Sequence, residues 1–377
     1  MMTTSTKDPV LVVIQLSGAN DYMNTVIPYT DPLYYDFRPV VSIPQNEVVP
    51  IDGQLAFHPS LLPLKDKFWD TGKMALIHGA GYPNPNRSHF RSMDIWHTCE
   101  PEIMGIEGWL GRAIRDLDPT AENVLTGVNI GQSLPRALAV PGVPVASVAN
   151  LEQYGVLTGI EGDKERNQAL DVFARMYTPA VGSGIVMDYL AQTGQDILKG
   201  ADILKVAPAK YSSTVEYAEN SIAQALKGIA QVHLADLGTR VFYCSHALYD
   251  THATQVVDHK KLWDDLAPAV CDFYDDLREH DASDNVVMLL FTEFGRRVRD
   301  NGSGTDHGSG GGSFVIGDPI KGGMYSEYPS LKPEDQLDGD LRFSYDFRGI
   351  YSTILERWLG LDAKPVVGGS FEQLDFI

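Results

Sequence analysis

The chain has 377 residues, of which 44% are hydrophobic and 21% are charged, a composition typical of a globular protein and not of a disordered one. Its formal net charge of −20 would repel both nucleic acid and anionic membranes, so neither is expected as a partner. The three cysteines form no CxxC pair, and we expect them to be buried thiols.

The start of the sequence and its apolar runs bear on localisation. Only residues 1–8 precede the first predicted strand, and they contain no charged segment followed by an apolar one, so they do not predict an export signal. The longest apolar runs, such as Val286–Phe291, are far too short to span a bilayer. We therefore expect a cytoplasmic protein, and a signal upstream of the given sequence stays an open alternative.

The first part of the chain predicts two strands and a helix. Residues 9–16 (PVLVVIQL) form a continuous apolar run, as expected of a strand covered on both faces, and residues 17–21 (SGAND) predict a turn after it. Residues 73–78 (KMALIH) predict a second short strand. A helix is expected to begin after Ser88, which is a plausible N-cap.

The rest of the chain predicts helices and strands in alternation. Residues 167–238 are expected to be largely helical, with Ser213 and Glu216 as a capping box before a long amphipathic helix. The segment 301–312 (NGSGTDHGSGGG) is either a loop folded tightly around its central residues or a plain linker. The remaining predicted elements are strands at 240–245, 285–292 and 313–316 and helices at 259–279 and 346–359.

This alternation predicts an α/β fold with three α/β/α layers around a mainly parallel, doubly wound sheet. We expect a single domain over residues 1–377, with residues 167–238 as a helical insertion or cap within it. In such sheets ligands bind beyond the C-terminal ends of the strands. Side chains that follow those strand ends are therefore the candidates for a functional site.

Two short stretches near the C-terminal end combine a carboxylate with an imidazole, the mixture of ligand atoms that divalent metals bind. Asp250 and His252 are two residues apart, so in an extended segment both side chains could face one ion. Asp306 and His307 are adjacent, so they would serve two ions, or one would bind the ion while the other orients it. The alternative is that these residues start turns or satisfy buried neighbours.

Two carboxylates follow predicted strands. Glu293 is either a metal ligand or an ion-pair partner of Arg296 and Arg297. Asp21 is either a metal ligand or an ordinary turn residue, and Asn20 beside it is a candidate for substrate binding.

Ser88 and His89 stand where a helix is predicted to begin. The positive field of a helix N-terminus would favour an alkoxide at Ser88, although the residue could simply be an N-cap. His89 is either a catalytic or substrate-binding residue or an ordinary surface histidine. Arg87 and the two arginines that follow Glu293 could neutralise an anionic group, since a guanidinium matches phosphate or sulfate geometry.

Several stretches together carry a resemblance to a known family. They are 16–29 (LSGANDYMNTVIPY), 88–90 (SHF), 108–112 (GWLGR), 250–255 (DTHATQ), 292–296 (TEFGR), 304–308 (GTDHG) and 346–359. On these stretches the chain resembles the DUF1501 family, a domain of unknown function placed in the alkaline phosphatase and sulfatase superfamily. The resemblance covers nearly the whole chain and implies an alkaline-phosphatase-like fold.

The superfamily resemblance also implies a site with two metal ions and a hydroxyl nucleophile between them. Ser88 matches the nucleophile position, and His89 lies next to it. The metal ligands that the resemblance implies are Asp21, Asp250, His252, Glu293, Asp306 and His307. One or two divalent ions are expected, with zinc suited to this ligand mixture and manganese or calcium as alternatives.

Three hypotheses for function follow. The first is a metal-dependent hydrolase that acts on a small-molecule phosphate, sulfate or related polar ester. The second is a metal-assisted lyase, isomerase or lactonase on the same fold. The third is a metal-stabilised binding protein without turnover. The sequence leaves a homo-oligomer open.

Overall fold

The structure is a computed structural model, and it describes residues 7–149, 151, 168, 172, 200, 203–204 and 206–377. Its strands in chain order are β1 (Val10–Leu16), β2 (Val26–Ile27), β3 (Val49–Pro50), β4 (Ala56–Phe57), β5 (Met74–Gly81), β6 (Gly127–Ile130), β7 (Ala146–Val148), β8 (Val241–His246), β9 (Val286–Phe291), β10 (Arg296–Asp300), β11 (Thr305–His307), β12 (Gly311–Ile316), β13 (Gly323–Tyr325) and β14 (Tyr345–Asp346).

Helices precede, connect and follow these strands. In chain order they are α1 (Tyr22–Thr25), α2 (Pro32–Phe37), α3 (Leu62–Leu64), α4 (His89–Thr98), α5 (Trp109–Leu117), α6 (Val206–Lys210), α7 (Ser221–Leu234), α8 (Gln255–Glu279), α9 (Phe347–Thr353) and α10 (Ala363–Val367). Shorter helical turns lie at Pro59–Leu61, Lys65–Trp69, Arg136–Leu138, Pro333–Asp335 and Ile354–Trp358.

The central sheet runs in the order β13-β5-β12-β9-β1-β8-β6-β7, and β14 pairs with the end of β5. Strand β1 lies near the middle and is parallel to both β8 and β9. Strand β12 is antiparallel to both of its neighbours, β5 and β9. The other pairs of this sheet are parallel, so the prediction of a mainly parallel sheet is confirmed.

Apolar side chains cover both faces of this sheet, which is why its strands read as uninterrupted apolar runs. Every residue of β1 is buried, with Val12 and Ile14 on one face and Leu11 and Val13 on the other. The first face packs against α7 and α8, and the second against α4, α5, α9 and α10. These three layers confirm the predicted α/β/α class.

Two smaller pairings accompany the central sheet among the described residues. Strands β2, β4 and β3 form a small antiparallel sheet. Strands β10 and β11 form an antiparallel hairpin in which Arg296 lies opposite His307. The segment 301–312 is therefore a folded connection that contains β11 and leads into β12, and it is not a plain linker.

The predicted helical region 167–238 is described only in part. Helices α6 and α7 lie within it, whereas residues 167–205 fall outside the described residues except at the few positions named above. The capping-box prediction is wrong. Helix α7 begins after Asn220, whose side chain accepts a hydrogen bond from the Ala223 N–H, and the Ser213 hydroxyl instead donates to Glu279 at 2.8 Å.

None of the helices in the described part of the chain is both long enough and apolar enough to cross a membrane.

Candidate metal centre

Several chain segments meet beyond the carboxyl end of the central sheet. Strand β9 is followed within two residues by Glu293, and the loop after β8 carries Asp250 and His252. His89 is the first residue of α4, and β11 ends at His307. The fold thus brings together side chains that are far apart in sequence.

His89, Asp250, His252 and His307 form a group that we call the His/Asp cluster. The Nε2 atom of His307 lies 3.0 Å from Nε2 of His89 and 2.9 Å from Nε2 of His252. The Oδ1 atom of Asp250 lies 3.1 Å from Nε2 of His252, 3.2 Å from that of His307 and 3.4 Å from that of His89. His307 therefore contacts both of the other histidines, and Asp250 contacts all three.

Each histidine of the cluster is held through its second ring nitrogen by an oxygen acceptor. The three pairs are His89 Nδ1 with Glu293 Oε1 at 2.8 Å, His252 Nδ1 with Asp306 Oδ1 at 3.1 Å, and His307 Nδ1 with the Arg87 carbonyl oxygen at 2.8 Å. Because a carboxylate or carbonyl oxygen accepts a hydrogen bond, Nδ1 carries the proton in the neutral ring and Nε2 presents a lone pair.

The His/Asp cluster is therefore a set of acceptors that repel one another unless positive charge lies between them. Protons can supply that charge at acidic pH, and a metal ion can supply it near neutral pH. Metal-binding histidines usually donate their other ring N–H to a carboxylate or a backbone carbonyl, as all three rings do here. The five separations given above are also close to the roughly 3.3 Å between ligand atoms of a tetrahedral zinc site with bonds of about 2.0–2.1 Å, and the ligand atoms of His89, Asp250 and His307 all lie within 4.8 Å of one another. The donor set thus fits a divalent metal.

Arg296 fixes the carboxylate of the cluster. Its buried guanidinium donates to Asp250 Oδ1 at 2.7 Å. Burial by itself would raise the pKa of Asp250, but the hydrogen bond and charge of Arg296 outweigh it and lower the pKa to about 2. The other contacts of this guanidinium are to the carbonyl oxygens of Gly18, Ala19, Tyr249 and Thr305. Arg296 is thus occupied within the protein, and the substrate-binding role predicted for it stays a prediction.

The imidazoles differ in their electrostatic surroundings. Burial lowers the pKa of His307 below its ordinary value, which favours the neutral ring. The hydrogen bond to the buried Glu293 raises the pKa of His89 above its ordinary value. Glu293 also accepts from the Gly18 N–H at 3.0 Å. Glu293 and Asp306, predicted as metal ligands, lie within hydrogen-bond distance of His89 Nδ1 and His252 Nδ1 in the structure, and their ligand roles stay predictions.

Asp21, another predicted ligand, lies outside this group in the structure. Its carboxylate is fully buried and forms an ion pair with Arg38 at 2.6 Å, and the Gln255 amide also donates to it. Burial by itself raises the pKa of Asp21, and the guanidinium of Arg38 more than offsets this, so the pKa lies below its ordinary value. The metal-ligand role of Asp21 stays a prediction, and the cation that the structure places beside it is Arg38.

The remaining predicted residues have varied surroundings. Ser88 is exposed at the N-terminus of α4, and its side chain forms no hydrogen bond within the described part of the chain. The Arg87 guanidinium donates to Asp340 at 2.9 Å, and the Arg297 guanidinium lies 3.6 Å from the same carboxylate. Asn20 is buried, and its Oδ1 atom lies 3.0 Å from His259 Nε2. The site roles predicted for these residues stay predictions.

Sequence reasoning missed Arg38 and Gln255. Besides donating to Asp21, Gln255 accepts hydrogen bonds through Oε1 from Thr251 and Thr305, so it connects the neighbourhood of Asp21 to the two segments that carry the cluster. Nothing in the spacing of Arg38 marks it as the partner of Asp21. Gln255, at the start of α8, directly follows the DTHAT stretch that contains Asp250 and His252. That place in the sequence could have marked Gln255 as a residue of the site.

A second acidic group with a histidine occurs at the C-terminal end of α8, formed by Asp276, Glu279 and His280. Both ring nitrogens of His280 face carbonyl oxygens, of Asp276 at 2.8 Å and of Ser212 at 2.9 Å. Asp276 Oδ2 accepts from two tyrosine hydroxyls, each at 2.7 Å. Because the imidazole has no free lone pair, this group is a poorer metal site than the His/Asp cluster.

Comparison of the sequence with models of protein families shows which family the chain belongs to. The model of the family described as "Protein of unknown function (DUF1501)" matches residues 104–370. The chain belongs to the DUF1501 family. Asp250, His252 and His307 lie within the matched range of this DUF1501 chain, and His89 precedes it. No curated protein matches the chain.

Solved structures similar to this DUF1501 protein share little of its sequence. One is the 2-O GAG sulfatase BT1596, with a TM-score of 0.41 and 9% identity, over 97% of this chain and 76% of that one. Another is the C-terminal periplasmic domain of EcEptC from Escherichia coli, in complex with Zn, with a TM-score of 0.40 and 8% identity, over 83% and 74%. A third is the PsFucS1 sulfatase from Pseudoalteromonas sp., with a TM-score of 0.39 and 10% identity, over 98% and 71%. Likenesses this distant do not establish a shared activity.

Proposed function

We propose that this protein is a metal-dependent hydrolase of a phosphate, sulfate or related polar ester, and that the His/Asp cluster holds one divalent ion. The observation that carries the proposal is the convergence of His89, Asp250, His252 and His307 with every imidazole anchored through Nδ1. Zinc suits three imidazoles and one carboxylate best, and manganese is the alternative. Calcium is a poor candidate because it takes oxygen ligands.

The surroundings of Asp21 favour a site with one metal ion over a site with two. The guanidinium of Arg38 already neutralises that carboxylate at 2.6 Å. A second metal beside Asp21 would have to displace a buried ion pair, which is costly because the freed guanidinium would stay buried without a counter-ion.

The positive charge needed to bind an anionic ester would come from the ion. The Arg87 guanidinium is paired with Asp340, and Arg296 is buried and occupied, so neither is free to bind an anion. When bound, the ion would act as a Lewis acid for the negative charge that develops on the transferred group.

The chain's own residues would position the reaction. Arg296 holds Asp250, while Glu293 and Asp306 hold the rings of His89 and His252 so that their Nε2 atoms stay directed inwards. The Ser88 hydroxyl is exposed at the N-terminus of α4, where the helix dipole favours an anion. It is the proposed nucleophile, with an attacking water as the alternative.

The test uses the chelated protein reconstituted with zinc or manganese. We expect hydrolysis of a p-nitrophenyl phosphate or sulfate that is lost in EDTA and in His307→Ala, and that is retained in Glu47→Gln, a change at an exposed carboxylate. Ser88→Ala should abolish turnover if the hydroxyl attacks and preserve it if water attacks. Turnover of lactones or hydroxy acids alone would point to the other enzyme classes. A bound metal without any turnover would contradict the enzymatic proposal.

A further inference from the structure

A second cleft opens at the same edge of the sheet as the His/Asp cluster. It has a volume of about 750 Å³ and lies at the ends of β1, β6 and β8, with α4 and α7 as further walls. We call it the amide cavity. Its polar lining includes Gln15, His97, Asn129, Gln224, Lys227 and Gln231.

The lining of the amide cavity is polar but almost without charge. None of the described residues that line it is Asp, Glu or Arg, and Lys227 is the single cation among them. His97 is buried, which lowers its pKa to about 3 and keeps the ring neutral. Without carboxylates the cavity does not suit a metal ion, and with one half-buried lysine it does not suit a phosphate group.

Several of the polar groups in this lining are buried and preorganised. Gln15, His97, Asn129 and Gln231 are between 3% and 7% exposed. Gln15 Oε1 accepts hydrogen bonds from His97 at 3.1 Å and from the Tyr243 hydroxyl, and its N–H₂ group has no partner among the described residues. The Asn129 amide nitrogen donates to the Ser133 carbonyl at 3.0 Å and to Ser147 Oγ at 2.7 Å, and its Oδ1 has no partner in the same part of the chain.

Gln231 is the most informative of these side chains. It is 7% exposed, lines the cavity, and forms no side-chain hydrogen bond within the part of the chain that the structure describes. Its amide atoms reach the solvent of the cavity, where water can satisfy them, so they are not buried unsatisfied groups. Gln231 therefore has no evident structural role, and its amide is available to a ligand.

We propose that the amide cavity binds a neutral polyhydroxylated group, such as a sugar ring or another polyol. The free N–H₂ of Gln15, the free Oδ1 of Asn129 and the whole amide of Gln231 offer both donors and acceptors without charge. Hydroxyl groups match such a set because each one donates and accepts.

The position of the cavity connects it to the proposed reaction. His97 in the cavity and His89 in the cluster are eight residues apart on α4, about 12 Å along the helix axis at 1.5 Å per residue. A polyol in the amide cavity would be the part of the substrate that carries the ester. That extension depends on the proposed function, whereas the binding itself does not.

The test measures binding to the chelated full-length protein, so that it is independent of metal and turnover. The probes are glucose, galactose, myo-inositol and lactose. Their binding is measured by saturation-transfer NMR and by calorimetric titration. We expect at least one probe to bind, and Gln231→Leu to weaken its binding by about tenfold, as loss of one or two hydrogen bonds implies. Gln54→Leu, at an exposed amide far from the cavity in sequence, should leave binding unchanged.

Thermal melting separates loss of binding from loss of the fold. Because Gln231 has no described partner, Gln231→Leu should keep the melting temperature of the wild type. If that variant does not fold, Ala247→Leu, at an exposed position of the cavity wall, should block the same probe. The proposal is overturned if no probe binds, or if binding persists unchanged in both variants. Ester hydrolysis by the reconstituted enzyme would be untouched by that result.

Discussion

At the scale of single residues, Glu293 shows how one buried carboxylate can govern a metal ligand. It accepts from His89 Nδ1 at 2.8 Å and from the Gly18 N–H at 3.0 Å. We expect Glu293→Gln to lower metal affinity by about 10- to 100-fold, because groups that orient a histidine ligand typically have effects of this size. Competition with a chromogenic chelator measures the affinity. Affinity equal to that of the wild type would contradict the role of Glu293.

The buried ion pair between Arg38 and Asp21 gives a second prediction for single residues, on the stability of the fold. Removing Arg38 leaves a buried carboxylate without its counter-ion, so Arg38→Met should destabilise the protein by about 3–5 kcal/mol in urea unfolding at pH 7. The double variant Asp21→Asn/Arg38→Met should recover part of this loss. An unchanged midpoint in Arg38→Met would show that the pair contributes nothing.

The same ion pair predicts a dependence on pH. In the folded state the pKa of Asp21 lies below its ordinary value of 3.8. The carboxylate therefore contributes stability that is fully present above about pH 4 and is lost as the pH falls further. Unfolding curves between pH 3 and 7 should show this loss in the wild type and less of it in Asp21→Asn.

The cluster residues could be predicted individually from the sequence, but their division of roles could not. Asp250 and His252 follow a strand that an apolar run predicted, and His307 stands in the glycine-rich segment 301–312. Whether Glu293 binds an ion or orients His89 depends on distances across more than two hundred residues. No local pattern contains that information.

At the scale of elements, the turn after β1 supports the loop after β8. Gly18 has a φ of +115°, and a Cβ atom there would lie 2.6 Å from the backbone nitrogen of Asp250 and 2.9 Å from that of Tyr249. Gly18→Ala should therefore displace Asp250 and weaken metal binding by at least tenfold. Gly53→Ala is the control, because a Cβ there meets nothing within 4 Å. Equal metal affinity in both variants would show that the contact between the turns does not matter.

Strands could be predicted from the sequence where burial on both faces of the sheet requires a run of apolar residues. β1, β8 and β9 lie inside the sheet and are apolar throughout or nearly so, so their positions were visible in the sequence. Caps were harder to predict. Ser213 has the spacing of a capping box, but its hydroxyl donates to Glu279 on another helix, and Asn220 begins α7 instead. Which residue caps a helix thus depends on hydrogen bonds to parts of the fold that are distant in sequence.

At the scale of the whole molecule, a bound ion would tie together the start of α4, the loop after β8 and the β10–β11 hairpin. Because these segments converge only in the folded state, the ion should stabilise it by about 2.7 kcal/mol at a concentration one hundred times its Kd. Adding zinc to the chelated protein should raise the melting temperature by several degrees. The double variant His252→Ala/His307→Ala should show no such shift, and an equal shift in that variant would place the ion elsewhere.

The measurement that tests the central claim most directly is the metal content of the purified chain, by elemental analysis after reconstitution and dialysis. We predict about one divalent ion per chain in the wild type and in the control variant His233→Gln, and almost none in His252→Ala/His307→Ala. A wild-type protein that binds no divalent ion, or a double variant that binds as much as the wild type, would contradict the assignment of the His/Asp cluster as a metal centre.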